Sequence, residues 1–115
     1  MENINKILEK RPWGEFEQFT QNKTSTVKII RVKKGEALSL QYHHHRSEFW
    51  HILEGEAVVT IDDKKIQAKK GDEFFIPEGS QHRVEANTDV VFLEIAFGNF
   101  DEKDIVRTAD KYDRS

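Results

Sequence analysis

Gly35 to Gly55 reads GEALSLQYHHHRSEFWHILEG, and a partner stretch from Gly71 to His82 reads GDEFFIPEGSQH. The first places three consecutive histidines, a glutamine and a glutamate between Gln41 and Glu48. Successive side chains of a strand alternate faces, so Gln41, His43 and His45 are expected to point one way, with Tyr42 and His44 pointing the other. A short turn over His44–Ser47 would return Glu48 to the first face. After the turn Pro77-Glu78-Gly79, a second polar strand start, Gln81-His82-Arg83, follows. With the two segments side by side, Gln41, His43, Glu48 and His82 supply imidazole and oxygen donors around one point. Such a mixed nitrogen and oxygen set suits a divalent metal with room left for water or substrate.

Working outward, the rest of the chain is strand and turn. Candidate strands are Glu15–Thr20, Ser25–Val32, Ala37–Tyr42, Glu48–Leu53, Ala57–Asp62, Lys64–Ala68, Glu73–Ile76, Gln81–Ala86 and Val90–Phe97, separated by Gly-, Asn- and Asp-containing turns. Short strands at this spacing indicate an all-β jelly-roll or barrel. Residues 1–10 read as a short helical turn, with Ile4, Ile7 and Leu8 on one face. Arg11-Pro12-Trp13-Gly14 then interrupts the chain. Asp101–Ser115 is charged and reads as a short helix or an arm. The expected layout is an N-terminal arm over 1–14, a barrel over 15–100 and a C-terminal arm over 101–115, in one domain.

Composition sets the outer bounds. A chain of 115 residues with 34% charged residues and a net charge of −3 describes one ordinary folded domain. No basic run offers a footprint for nucleic acid. No apolar run approaches the length of a membrane-spanning helix. The N-terminus lacks the apolar segment of a signal peptide. The absence of cysteine fits a reducing compartment, and a cytoplasmic location is expected.

The fixed points of the two stretches resemble the paired signatures of the cupin superfamily. Gly35, Gln41, His43, Glu48 and Gly55 match the first, and Gly71, Pro77, Gly79 and His82 the second, with the spacing kept at every step. Gln41 stands where most cupins carry a histidine, and Gln-x-His resembles the metal motif of phosphomannose isomerases. Arg11-Pro12-Trp13-Gly14, Val27-Lys28, Leu38 to Arg46, Ile76-Pro77, His82-Arg83, Asp104 to Arg107 and Asp110-Lys111-Tyr112 extend the resemblance to type II mannose-6-phosphate isomerases. Departures are Phe49, where the family reads Arg-x-Glu-His-Trp, and Asp113, where it reads Tyr-Gly-Arg. His51 falls on the same strand face as Phe49 and is a conceivable substitute for the missing histidine. The family domain commonly follows a nucleotidyltransferase domain. This chain has no glycine-rich nucleotide loop, which excludes guanylyltransferase activity for it.

The resemblance implies an aldose–ketose exchange between mannose 6-phosphate and fructose 6-phosphate at a divalent metal. Zinc is favoured, and manganese, cobalt, nickel or iron would also suit the donors. Gln41, His43, Glu48 and His82 are the expected ligands. His45 is the expected acid/base group, with Arg46 beside it in catalysis. Arg83 and Arg107 are the expected phosphate-binding residues, with Lys28 a further cation. Small cupins commonly pair through sheet edges, so a homodimer is expected. The alternative is a non-catalytic cupin module that binds metal and sugar without turning it over. A metal oxygenase, a third possibility because fold does not fix function, fits Gln41 less well than a third histidine.

Overall fold

The structure, a computed structural model, describes residues 6–98, 101 and 103–109. Strands β1 (Ile7–Arg11) and β2 (Gly14–Gln18) form a separate hairpin. The body consists of β3 (Ser25–Val32), β4 (Leu40–Tyr42), β5 (Ser47–Glu54), β6 (Glu56–Ile61), β7 (Lys64–Lys69), β8 (Glu73–Ile76), β9 (His82–Ala86) and β10 (Val90–Phe97). A last strand, β11 (Val106–Ala109), pairs with β4. The pairings of the body are nested: β3 with β10, β4 with β9, β5 with β8 and β6 with β7, all antiparallel. A long hairpin rolled up in this way is the jelly roll expected from the turn spacing. Its two walls are a four-stranded sheet, β3-β10-β5-β8, and a five-stranded sheet, β11-β4-β9-β6-β7.

Alternation along the strands explains what lies between the walls. Val90, Phe92, Glu94 and Ala96 of β10 are buried, whereas Val91 and Leu93 are only half-buried. On β5 the inward phase is Glu48, Trp50 and Ile52. Trp50, Ile52, Val59, Val84 and Phe92 form the centre of the core. Each such side chain, fully removed from water, contributes about 1.5–3 kcal/mol. The tight connection from β5 to β6 depends on Gly55, at φ +87°, where an added Cβ would sit 2.1 Å from the Asp89 carbonyl oxygen. No other residue type fits there.

Two expectations at the ends need correction. Residues 7–11 form a strand rather than a helical turn, because the chain reverses at Pro12-Trp13 and pairs Ile7 with Gln18 through Arg11 with Gly14. This hairpin lies against the outer face of the four-stranded sheet. Lys6 bonds Glu73, and the Phe19 ring packs 5.8 Å from Phe49 and 5.7 Å from His51. At the other end, the charged segment read as a helix or arm contains β11, since Val106 and Arg107 find backbone partners in Tyr42 and Gln41. Ile4 and residues 110–115 lie outside the described residues.

Candidate metal centre

Both walls contribute to one buried cluster. Gln41 is the middle residue of β4 and stands in register with His82 at the start of β9. His43 follows β4 immediately, and Glu48 lies on β5 of the opposite sheet. One donor atom each from His43, Glu48 and His82 falls within 4.8 Å of the others. All three side chains are at most 2% exposed. Gln41 is half-buried, and its Oε1 accepts a hydrogen bond from the Ser39 hydroxyl at 2.8 Å.

The backbone fixes which way the rings present their nitrogens. His43 Nδ1 lies 2.5 Å from the Asp104 carbonyl oxygen, and His82 Nδ1 lies 2.9 Å from that of Ser80. A carbonyl only accepts, so both Nδ1 atoms donate and both Nε2 atoms of the neutral rings carry lone pairs. These lone pairs face the Glu48 carboxylate: His43 Nε2 is 3.2 Å from Oε2, and His82 Nε2 is 3.6 Å from Oε1. His82 Nε2 is buried without a hydrogen-bond partner. An acceptor nitrogen left unpaired beside a carboxylate in a dry interior is suited to a cation. An orphaned imidazole nitrogen, a second imidazole and a carboxylate, each with its rear atoms held, fit a divalent metal.

Cationic and polar neighbours complete the first ring of contacts. Arg46 Nε donates to Glu48 Oε2 at 3.0 Å, and Arg46 Nη2 lies 2.9 Å from His43 Nε2. Trp50 Nε1 donates to Glu48 Oε1 at 3.0 Å. Burial pushes the Glu48 carboxyl upward, but the contact with His43 and the positive charges of His82, His43 and Arg46 outweigh it and hold it at about 2. Burial pushes His82 the other way, below the ordinary histidine range, against the pull of Glu48. Arg46 is the permanent cation of the cluster.

The remaining expected site residues divide. His45 does not share the buried face of His43: the strand ends at Tyr42, and the bend at His44-His45 leaves the His45 ring exposed. Its backbone N–H and that of His44 instead donate to the two Asp104 carboxylate oxygens, at 2.9 and 2.8 Å. These two bonds, His44 first, hold Asp104 below the usual carboxylate range. Arg83 takes the outward phase of β9 and donates from Nε to the Leu38 carbonyl at 3.1 Å, so it lies on the far side of the sheet from His82. It lines a shallow open groove with Glu36, Glu85 and Asn87. Arg107 stands opposite Gln41 in register, half-buried, with its Nε lacking a hydrogen-bond partner. Lys28 is half-buried on the inward phase of β3.

Three contributors went unread in the sequence. Asp104 clasps the histidine loop through both its carbonyl and its carboxylate. Trp50 supplies an N–H to Glu48. Glu94 is buried on β10, and burial followed by the Glu48 charge pushes its carboxyl up to about 7. The sequence signal for Glu94 is that it is the one charged residue in an otherwise apolar strand. Phe49, the departure from the expected histidine, faces outward from β5 onto Phe19, away from the cluster. His51 on the same outer face pairs with Glu73 at 2.7 Å.

Comparison with known proteins places this geometry. Residues 2–110 match the family described as Mannose-6-phosphate isomerase C-terminal. Mannose-1-phosphate guanylyltransferase 2 of Escherichia coli O157:H7 is 40% identical over 106 residues, 89% of this chain and 22% of that protein. The chain thus spans about a fifth of the length of this relative. Among solved structures, the capsular polysaccharide assembling protein CapF of Staphylococcus aureus superposes with a TM-score of 0.64 at 21% identity, over 91% of this chain and 32% of CapF. Salicylate 1,2-dioxygenase of Pseudoaminobacter salicylatoxidans gives 0.62 at 19% identity, over 65% of this chain and 20% of the dioxygenase. At such identities the structural likenesses establish the shared cupin fold alone.

Proposed function

The chain belongs to the mannose-6-phosphate isomerase C-terminal family, and from that premise we propose that it is a metal-dependent sugar-phosphate isomerase. The substrate pair is mannose 6-phosphate and fructose 6-phosphate. The observation that carries this reading is the convergence of His43 Nε2, His82 Nε2 and the Glu48 carboxylate on one point, with His82 Nε2 left unpaired.

Gln41, His43, Glu48 and His82 would hold the ion, with zinc the first choice. A divalent ion bound there polarises a carbonyl and offsets negative charge developing on its oxygen. The chain's own residues supply the rest. Asp104 and Ser80 orient the two imidazoles through their carbonyls, and Trp50 orients the Glu48 carboxylate. Arg107, beside Gln41 with an unpaired Nε, is the first choice for the substrate phosphate, because a guanidinium fork matches phosphate geometry. Lys28 is the second. Arg83 and His45 receive no support from their positions. The exposed Val27 and Ile29 on the outer face of edge strand β3 support a homodimer. The absence of cysteine supports a cytoplasmic setting.

A second reading, a module that binds without turnover, draws on Arg46. Its guanidinium already satisfies Glu48 and His43, so the cluster carries a positive charge of its own. A coupled assay decides between them. Mannose 6-phosphate is supplied with defined metals, with a chelator control and the His43→Ala variant, and fructose 6-phosphate is detected. Turnover that requires metal and disappears in the variant is the expected result. Stoichiometric metal binding without turnover under any metal would transfer the assignment to the binding module.

A further inference from the structure

The isomerase reading leaves Glu94 without a task. It is 6% exposed on the inward face of β10, flanked on that face by Phe92 and Ala96. Trp50 of β5 stands opposite it on one side and Lys28 of β3 on the other, while Ala96 stands opposite Glu48. Diagonal neighbours on one sheet face lie about 7–8 Å apart. Glu94 therefore shares a wall with Glu48, one step away, without belonging to the three converging donors. The charged groups that act on it are Lys28 from β3, Glu48 from β5, and Arg46 and His43 from the loop between β4 and β5. Burial and then the Glu48 charge favour its protonated form, and Arg46, Lys28 and His43 oppose them.

A carboxyl in this position serves no packing need that an apolar residue would not serve better. It faces the same interior as the donor cluster, one diagonal step from Glu48, where a carboxyl is placed to take and return a proton. We propose that Glu94 is the catalytic acid/base residue that carries the proton between C2 and C1 of the open-chain sugar, the task the sequence had pointed to His45 for. The proposal rests on the isomerase reading above. In the forward direction the C2–H bond breaks and a Glu94 oxygen takes the proton. The electron pair becomes the C1–C2 double bond of an enediol as the carbonyl oxygen O1 takes up a proton. Glu94 then gives its proton to C1, and the O2 hydroxyl releases its own proton as it becomes the ketose carbonyl. The atoms balance, and no co-reactant is required.

The test uses the full metal-loaded chain and the variants Glu94→Gln and Glu94→Asp. With mannose 6-phosphate in heavy water, the wild type is expected to introduce deuterium at C2, and Glu94→Gln to lose both exchange and turnover by about 100- to 10,000-fold. Calorimetry with zinc alone is expected to give Glu94→Gln the wild-type stoichiometry and an affinity within about threefold. Glu94→Asp is expected to retain measurable exchange with the acidic limb of its kcat/KM profile displaced. The proposal is overturned if Glu94→Gln keeps exchange within tenfold of the wild type. Loss of zinc binding in both variants overturns it equally, since the residue is then structural. An aspartate variant with an unmoved acidic limb does the same. A wild type that binds zinc but neither exchanges nor isomerises overturns the isomerase reading itself, and the proposal with it.

Discussion

Each face of strand β5 contributes one member to a histidine–glutamate pair, and the two pairs differ in almost everything except their chemistry. Outside, His51 Nδ1 lies 2.7 Å from Glu73, and Lys6 adds bonds of 2.8 and 3.0 Å to the same carboxylate. Water reaches all three side chains, and Lys6 also pairs with Glu17. Inside, His43 and Glu48 approach to 3.2 Å at almost zero exposure, with a second imidazole and a guanidinium against them. Solvent screens the outer pair, and the barrel interior screens the inner one hardly at all. The same two residue types thus fasten a hairpin on one face and contribute to a candidate cation site on the other. Burial makes the difference.

The largest expected effect separates the two glutamates. Glu48→Gln is expected to weaken zinc binding by more than about 100-fold, because a neutral amide replaces the anionic ligand. Glu73→Gln is expected to leave it unchanged. Calorimetry on the two variants checks this, and equal losses would collapse the contrast. The wild type also has a pH signature. Glu48 titrates lower in the fold than in the unfolded chain, so its contribution to stability is present above about 4.5 and is lost as pH falls toward about 2. Acid unfolding of Glu48→Gln is expected to lack that component.

A smaller effect is expected one shell out. Asp104→Ala removes the carboxylate that accepts the His44 and His45 N–H groups, and with it the clasp that sets the Asp104 carbonyl against His43 Nδ1. Zinc affinity is expected to fall by about 10- to 100-fold, the usual cost of disturbing a ligand's orienting partner. An unchanged affinity would show that the loop between β4 and β5 holds His43 unaided. The smallest effect belongs outside. Lys6→Met is expected to cost less than about 1 kcal/mol by urea unfolding, because Lys6 pairs with partly exposed carboxylates. A larger loss would mean that the hairpin is integral to the barrel.

Legibility followed the length scale of each signal. The nine strands from Glu15 to Phe97 were readable because alternation and turn residues are local, and Ser25–Val32, Glu73–Ile76 and Val90–Phe97 form as read. Strands β1 and β11 were not readable, since each exists only through a partner: β11 lies opposite Gln41, more than 60 positions back along the chain. His45 misled for a related reason. Alternation holds only while the backbone stays extended, and that ends at Tyr42. Glu94 stands out as the one charged residue of an apolar strand, but both phases of that strand are apolar in sequence, so only the fold tells that Glu94 faces the buried side.

By itself the sequence determined the jelly roll and pointed to His43, Glu48 and His82 as residues that would come together, because glycine turns, strand period and motif spacing are properties of short stretches. Only the tertiary structure decided how those residues are used. It turned both Nδ1 atoms toward backbone carbonyls, brought Arg46 onto Glu48, sent His45, Phe49 and Arg83 away from the centre and enclosed Glu94 beside it. The physical reason is that pKa, tautomer and pairing depend on what surrounds a group in three dimensions, and most of these neighbours come from other strands of the barrel.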